Sequence, residues 1–230
     1  MKIHGLQKMT LLDFPGHVAC TVFLGGCDLR CPFCHNSDLL DAHAPALMEE
    51  EELLGFLKGR KGLLEGVCLT GGEPLLRPDL ADLCRKIKEL GFPVKLDTNG
   101  FHPAPLGKLI REGLIDYVAM DIKNSPEKYA ETAGRPGLEL SPLYESLSLL
   151  LSGSTEYELR TTVVAEFHEE ADFPAIGEMI RGAKRYFLQR FTDRDTVPFA
   201  GLSAPSADEM RRYAQLVQPY VQSVSLRGVE

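Results

Sequence analysis

Apolar residues along this chain fall into short compact runs, and between the runs hydrophobic positions recur every three or four residues. The compact runs read as strands: residues 18–24 first, then 66–70, 94–98 and 117–122. Residues 157–164 and 185–189 are predicted as fifth and sixth strands, and 224–226 as a short last one. The three-to-four spacing predicts helices over 48–59, 79–90, 106–112, 142–151, 173–182 and 208–217. Ser206 with Glu209 three residues on forms a capping-box start for the last helix. Ser141 places a capping hydroxyl before Pro142 at a first helical position, and Gly91 and Gly113 stand where C-terminal glycines belong.

Strand and helix in alternation argue for parallel βαβ units and an α/β fold. Six such units fit a closed or partial (β/α)6 barrel, and a doubly wound open sheet is the alternative that periodicity does not separate. Residues with chemical potential cluster just after the strands. Cys27 follows the first, Gly71-Gly72-Glu73 the second, Asn99 the third and Lys123 the fourth. In parallel α/β folds the C-terminal strand ends form the site, so one site built from successive strand ends is expected. Two long connections, 124–140 and 190–205, are rich in Gly, Pro, Ser and charge. Long loops of this kind are either functional or disordered.

The chain has 230 residues, enough for one large domain or at most two small ones, and no repeat or low-complexity tract divides it. The expectation is a single domain over 1–230. A net charge of −8 argues against non-specific nucleic-acid binding, which needs a basic face. No secretory apolar segment is visible near Met1, and no run is long enough for a membrane span, so a cytoplasmic, reducing location is expected.

That setting bears on the six cysteines. Cys27, Cys31 and Cys34 form a C-x3-C-x2-C motif within Gly25-Gly26-Cys27-Asp28-Leu29-Arg30-Cys31-Pro32-Phe33-Cys34-His35-Asn36. Three thiolates on one tight loop can hold three irons of a 4Fe–4S cluster, and the fourth iron then stays open to a substrate or cofactor. Zinc favours four ligands and paired C-x2-C knuckles, and no second pair exists here. Three core cysteines are disfavoured by the Asp28, Arg30 and Pro32 that interrupt them. A disulfide framework is disfavoured by chain length and the absence of a secretory segment. Cys20, Cys68 and Cys84 fall inside strand or helix patterns and read as small core residues. His35, beside the cysteine loop, is placed to tune it by hydrogen bonding. His4, His17, His43, His102 and His168 show no ligand spacing and read as surface or loop residues.

Further candidates lie at the other strand ends. Gly71 and Gly72 allow close backbone approach to a ligand, and Glu73 supplies a carboxylate for an amino group. Asp97 and Asp121 end adjacent strands, where they could bind a cation or cap loop amides; Lys123 is a point charge suited to a carboxylate or ribose oxygen. A helix cap for Asp97 and a simple Asp121–Lys123 pair are the plainer readings. Arg160 lies inside a strand pattern and needs an anion, for which a ligand carboxylate, Glu73 or Asp97 would serve.

The cysteine loop with Phe33 before its last cysteine, together with Gly71-Gly72-Glu73, resembles the radical S-adenosylmethionine (SAM) superfamily over nearly the whole chain. The resemblance implies a partial (β/α)6 barrel, cluster ligation by Cys27, Cys31 and Cys34, and SAM on the fourth iron. One electron from the cluster would cleave SAM to methionine and a 5′-deoxyadenosyl radical. Thr10-Leu11-Leu12-Asp13-Phe14-Pro15-Gly16, Phe33-Cys34-His35-Asn36, Asp97-Thr98-Asn99-Gly100 and Asp121-Ile122-Lys123 are similar to glycyl-radical-enzyme activating proteins. By that similarity Gly71, Gly72, Glu73 and Asn99 are SAM-binding candidates. Phe33, Lys123 and Arg160 join them, and Asp97 with Asp121 would line a monovalent-cation site. No C-x2-C pair follows Cys34, so the ferredoxin-like insert of many members is missing. The compact form, with Asn124-Ser125-Pro126-Glu127-Lys128-Tyr129 and the ending Leu226-Arg227-Gly228-Val229, is most similar to activating proteins of anaerobic ribonucleoside-triphosphate reductase. This implies a glycyl-radical protein as partner and flavodoxin or ferredoxin as electron donor. A radical SAM enzyme acting on a small molecule in cofactor or modified-nucleoside synthesis is the second reading, and a structural metal-binding domain the third.

Overall fold

The computed structural model describes residues 1–153 and 155–229. It divides into two compact units, Met1–Asp28 with Asp38–Ala119, and Leu29–Ser37 with the chain from Met120 onward.

The first unit begins with β1 (Lys2–Ile3), β2 (Gly5–Thr10) and β3 (Ala19–Leu24). It continues through β4 (Met48–Glu49), α1 (Glu50–Lys58), β5 (Gly66–Gly71), α2 (Leu80–Glu89), β6 (Val94–Thr98) and α3 (Pro103–Arg111). β2, β3, β5 and β6 lie side by side in that order. β2 runs antiparallel to β3, and the β3–β5 and β5–β6 pairs are parallel. Parallel strands buried on both faces need apolar side chains at nearly every position. Ala19, Cys20, Val22 and Leu24 of β3 and Val67, Cys68 and Leu69 of β5 are accordingly sealed from solvent. On α2, Leu80, Leu83, Cys84 and Ile87 form the buried stripe, and Lys86 and Lys88 fall outside it. Gly91 and Gly113 follow the caps of α2 and α3 as expected. β7 (Tyr117–Asp121) carries the chain past the boundary at Ala119.

The second unit holds α4 (Tyr129–Thr132), α5 (Ser141–Ser152), β8 (Glu156–Val163), α6 (Asp172–Met179), β9 (Tyr186–Arg190), α7 (Ala207–Val217) and β10 (Val224–Arg227). β8, β9 and β10 are parallel neighbours. Phe173 of α6 stacks on Tyr213 of α7, with ring centroids 4.1 Å apart. The capping box of Ser206 and Glu209 is formed. Ser141 does not cap α5: the helix starts one residue earlier, Leu140 is its cap, and no side chain bonds there. Proline fits anywhere in a first turn, where its missing N–H would have no partner, so Pro142 does not fix the start.

Within each unit the parallel strands add in chain order, without the reversal that defines a doubly wound sheet. The fold is α/β with parallel strands. All seven predicted strands and six predicted helices form, within a few residues at their ends. β1, β2 and β4 had no sequence signal. Two of them are two residues long, and β2 exposes the consecutive Gln7, Lys8 and Met9, which breaks any alternation. The 124–140 connection contains α4 and is held by a buried Asn124. Its amide donates to Thr132 Oγ1 at 2.9 Å and to the Phe167 carbonyl at 2.8 Å. Among the described residues no helix is long and apolar enough to cross a membrane.

Candidate active site

In the first unit, the C-terminal ends of β3, β5 and β6 bring together Cys27, Glu73 and Asn99 through backbone contacts. A Cβ on Gly71 would lie 2.3 Å from the Leu24 carbonyl, and one on Gly72 2.2 Å from the Gly26 carbonyl. No other residue fits. In the structure these glycines admit the chain itself. Gly72 N–H donates to Leu24 O at 2.9 Å, and Glu73 N–H to Gly26 O at 2.7 Å. The approach to the first cysteine is thereby fixed against the Gly-Gly-Glu turn. Cys27 N–H in turn donates to Leu40 O at 3.2 Å.

Glu73 is 1% exposed. Its Oε1 accepts from Leu75 N at 3.0 Å and Thr98 Oγ1 at 2.9 Å, and its Oε2 from Asn99 N at 2.6 Å. Burial pushes its pKa up to about 7, against the pull of these three donors. An ammonium group brought to such a carboxylate would hold it ionised. Asn99 Nδ2 donates to Asp28 Oδ1 at 2.9 Å, and His102 Nε2 lies 3.1 Å from Asp28 Oδ2. Burial opposes ionisation of Asp28, but the bonds from His102 and Asn99 outweigh it and hold the carboxyl below its ordinary range. A continuous polar chain therefore links Glu73, Asn99, Asp28 and His102.

Asp97 does not cap a helix. Its carboxylate pairs with the ammonium of Lys95, and Cys68 Sγ lies 3.7 Å from each of these groups. Lys95 is 1% exposed. Residues two apart on a strand share a face, and Cys68 is the register partner of Lys95 on β5. In the sequence Lys95 is hidden within an apolar run. The signal that could have found it is the lysine–aspartate pair at i and i+2 in an otherwise hydrophobic strand.

In the second unit, Cys31 is 7% exposed and Cys34 is partly exposed. Cys34 N–H donates to Cys31 O at 3.1 Å, which closes the turn. Burial pushes both thiols up. Lys123 pulls the other way on Cys31, and the Asn36 backbone N–H does so on Cys34. Asp121 sits between two cations, with Lys123 Nζ at 3.0 Å from Oδ2 and Arg160 Nε at 2.9 Å from Oδ1. Burial disfavours its charge, yet Arg160 and Lys123 overcome this and hold it at about 2. Lys123 is correspondingly raised by Asp121, against burial. Asp121 is thus an anion beside Arg160. Phe33 is buried, its ring centroid 5.8 Å from that of Phe167.

Three of the histidines read as surface or loop residues lie outside helices and strands as expected, but are tied to other parts of the chain. His168 is 3% exposed, and its Nε2 donates to the Lys123 carbonyl at 2.9 Å. His102 holds Asp28, and His4 Nδ1 accepts from Gly25 N at 2.9 Å. No spacing announces these contacts, which span 21 to 74 residues. Cys20, Cys68 and Cys84 are buried as expected, and burial takes Cys20 and Cys84 to about 12. None of the six cysteines is in a disulfide. Among the described residues no three His, Cys, Asp or Glu side chains gather around one point as a single metal ion requires. Ligands of a 4Fe–4S cluster each bind a different iron and need not share a point. The cysteine loop fits such a cluster by its donors: three thiols outside any disulfide, two of them beside a cation or a backbone N–H that favours the thiolate.

Residues 21–150 match the model of the radical SAM superfamily. A protein of Methanocaldococcus jannaschii provisionally named as a glycyl-radical enzyme activating enzyme is 31% identical over 99% of this chain and 96% of its own. The pyruvate formate-lyase-activating enzyme of Clostridium pasteurianum is 35% identical over 54% of this chain and 52% of its own. Among solved structures, a domain of the pyruvate-formate lyase-activating enzyme of Bacteroides vulgatus aligns with a TM-score of 0.58 at 18% identity. That alignment covers 71% of this chain and 99% of the other, and shows likeness of fold. The superfamily is defined by a 4Fe–4S cluster and SAM, and the match over 21–150 together with the full-length relative establishes that this chain belongs to the radical SAM superfamily.

Proposed function

We propose that this protein is a glycyl-radical enzyme activase whose target is an anaerobic ribonucleoside-triphosphate reductase. The observation that carries the activase reading is the likeness to the Methanocaldococcus jannaschii protein, which runs the length of both chains. The choice of target rests on the segments Asn124 to Tyr129 and Leu226 to Val229 and on the missing ferredoxin-like insert after Cys34.

In this reading Cys27, Cys31 and Cys34 hold the cluster, within one domain over the whole chain. Such a cluster, once reduced, would supply the electron that cleaves SAM to methionine and a 5′-deoxyadenosyl radical able to take hydrogen from a glycine Cα. Glu73 receives the methionine ammonium, and the backbone at Gly71, Gly72 and Asn99 shapes the surrounding turn. Lys123 and Arg160 attract the methionine carboxylate. Asp121, fixed between them, sets their directions and limits the excess positive charge. Phe33, buried beside Phe167, adds apolar surface to the cysteine loop. A monovalent cation at Asp97 or Asp121 belongs to the proposal, although each carboxylate already faces a protein cation. Flavodoxin or ferredoxin is the proposed electron donor, and an anaerobic cytoplasm the setting such a cluster needs.

The test is 5′-deoxyadenosine release by anaerobically reconstituted, reduced protein, read together with the glycine-centred radical on candidate partners by electron paramagnetic resonance. The reading expects release that disappears in Cys27→Ala and a radical on the reductase. A radical on pyruvate formate-lyase alone would move the target. Turnover raised by a small metabolite, with no protein radical, would replace activation with small-molecule chemistry.

A further inference from the structure

The segment just after the third cysteine is stapled to the connection between β9 and α7. The His35 ring lies parallel to that of Phe191, 6° between planes and 5.5 Å between centroids. Its Nε2 is 2.7 Å from the Thr192 carbonyl. A carbonyl only accepts, so this nitrogen carries a proton. The backbone closes the staple from the other side. Thr196 Oγ1 donates to the His35 carbonyl at 2.8 Å, and Ser37 Oγ donates to the Thr196 carbonyl. Four contacts therefore bind residues 35–37 to residues 191–196, across 156 to 161 positions of sequence, all inside the second unit. The far end of the same connection is also held: Ser203 N and Oγ both donate to Glu166, and Ala165 N donates to Ser203 O. Between these anchors Phe199 is exposed.

The stapled segment contains Asn36, whose backbone N–H reaches the Cys34 sulfur. Hydrogen bonds to cluster sulfurs stabilise the more negative, reduced state and raise the potential. Anything that frees residues 35–37 loosens this bond.

We propose that His35 is a positioning residue: through Phe191, Thr192 and Thr196 it fixes the Asn36 N–H on Cys34, so that the 191–196 connection sets the cluster's reduction potential. A partner that displaces this connection would then be registered at the cluster before any chemistry begins. The inference rests on the proposed reading only in placing a cluster on Cys34.

Hydrogen exchange in the protein before and after reconstitution, and a redox titration of the reconstituted protein, test it without SAM or partner. His35→Ala should speed exchange of the Phe191 and Val197 amides, which donate to Val163 O and Arg194 O, about tenfold, as loss of one hydrogen bond and a ring stack implies. It should also move the midpoint potential to more negative values while iron content is retained. His35→Gln, which keeps a donor for Thr192, should recover part of both. Thr196→Val, which leaves the histidine untouched, should shift the potential the same way and guards against misfolding of the histidine variants. Unchanged exchange in His35→Ala would overturn the staple. Faster exchange with an unchanged potential in His35→Ala and Thr196→Val would overturn the coupling. Wild-type protein that assembles no cluster would sink the functional reading and the coupling with it, while exchange would still decide the staple.

Discussion

Glu73→Gln isolates the carboxylate at the centre of the first unit's site. Glutamine has the same shape, and its oxygen can keep the bonds from Leu75 N and Thr98 Oγ1. Its amide nitrogen then faces the Asn99 N–H that now lies 2.6 Å from Oε2, donor against donor. Leaving that buried N–H unsatisfied costs about 1–3 kcal/mol of stability, readable in a thermal or denaturant melt. On the proposed reading the same change removes a charge-assisted bond to the SAM ammonium, worth about 1.5–3 kcal/mol, so SAM should bind roughly 10- to 100-fold more weakly. The pH dependence adds a second signature. Because burial lifts Glu73 to about 7, its ionised fraction rises from about a tenth at pH 6 to about one half at pH 7. Wild-type SAM affinity should therefore rise about fivefold over that unit, and Glu73→Gln should lose the rise. Stability runs in the opposite direction. The folded value stands above the ordinary 4.5, so the contribution is complete below about 4.5 and is lost as pH rises through about 7. Anaerobic equilibrium dialysis with SAM across pH 6 to 7, paired with melts, measures both. A Glu73→Gln protein that binds SAM with wild-type affinity and wild-type pH slope would refute the reasoning.

The thiols differ in their place in the chain: Cys31→Ala, in the cysteine loop beside Lys123, should lose bound iron and sulfide, whereas Cys84→Ala, in the core stripe of α2, should keep both and melt only slightly lower. Asp121→Asn strips the anion from between Lys123 and Arg160 and should cost about 2 kcal/mol, less than a fully sealed pair would because these groups keep some solvent contact. Since Asp121 sits at about 2 when folded, its contribution is present above pH 4 and is lost as pH falls from about 4 to about 2; acid melts of Asp121→Asn should lack that portion. Lys95→Met should leave Asp97 without its ammonium and make SAM cleavage newly dependent on added potassium; equal activity with and without potassium in the variant would show that Asp97 needs no second cation.

The amino-acid sequence by itself determined the strand–helix alternation and the cysteine loop. Both are local: a buried parallel strand needs a compact apolar run, a helix needs its stripe, and three ligands on one loop need only their spacing. It also placed Glu73, Asn99, Asp121 and Lys123 at strand ends, because a polar residue closing an apolar run is visible without knowing the neighbours. Tertiary structure alone decided what these groups touch. Asp121 became a partner of Arg160, 39 residues away, and Lys95 came to pair with Asp97. His102, His168 and His35 acquired partners 45 to 157 residues distant. The glycines at 71 and 72 proved to admit the backbone of β3 and the turn after it. Periodicity reports which face of an element is buried. The partner of a charge depends on which strand lies alongside and in what register, and chain packing alone sets both.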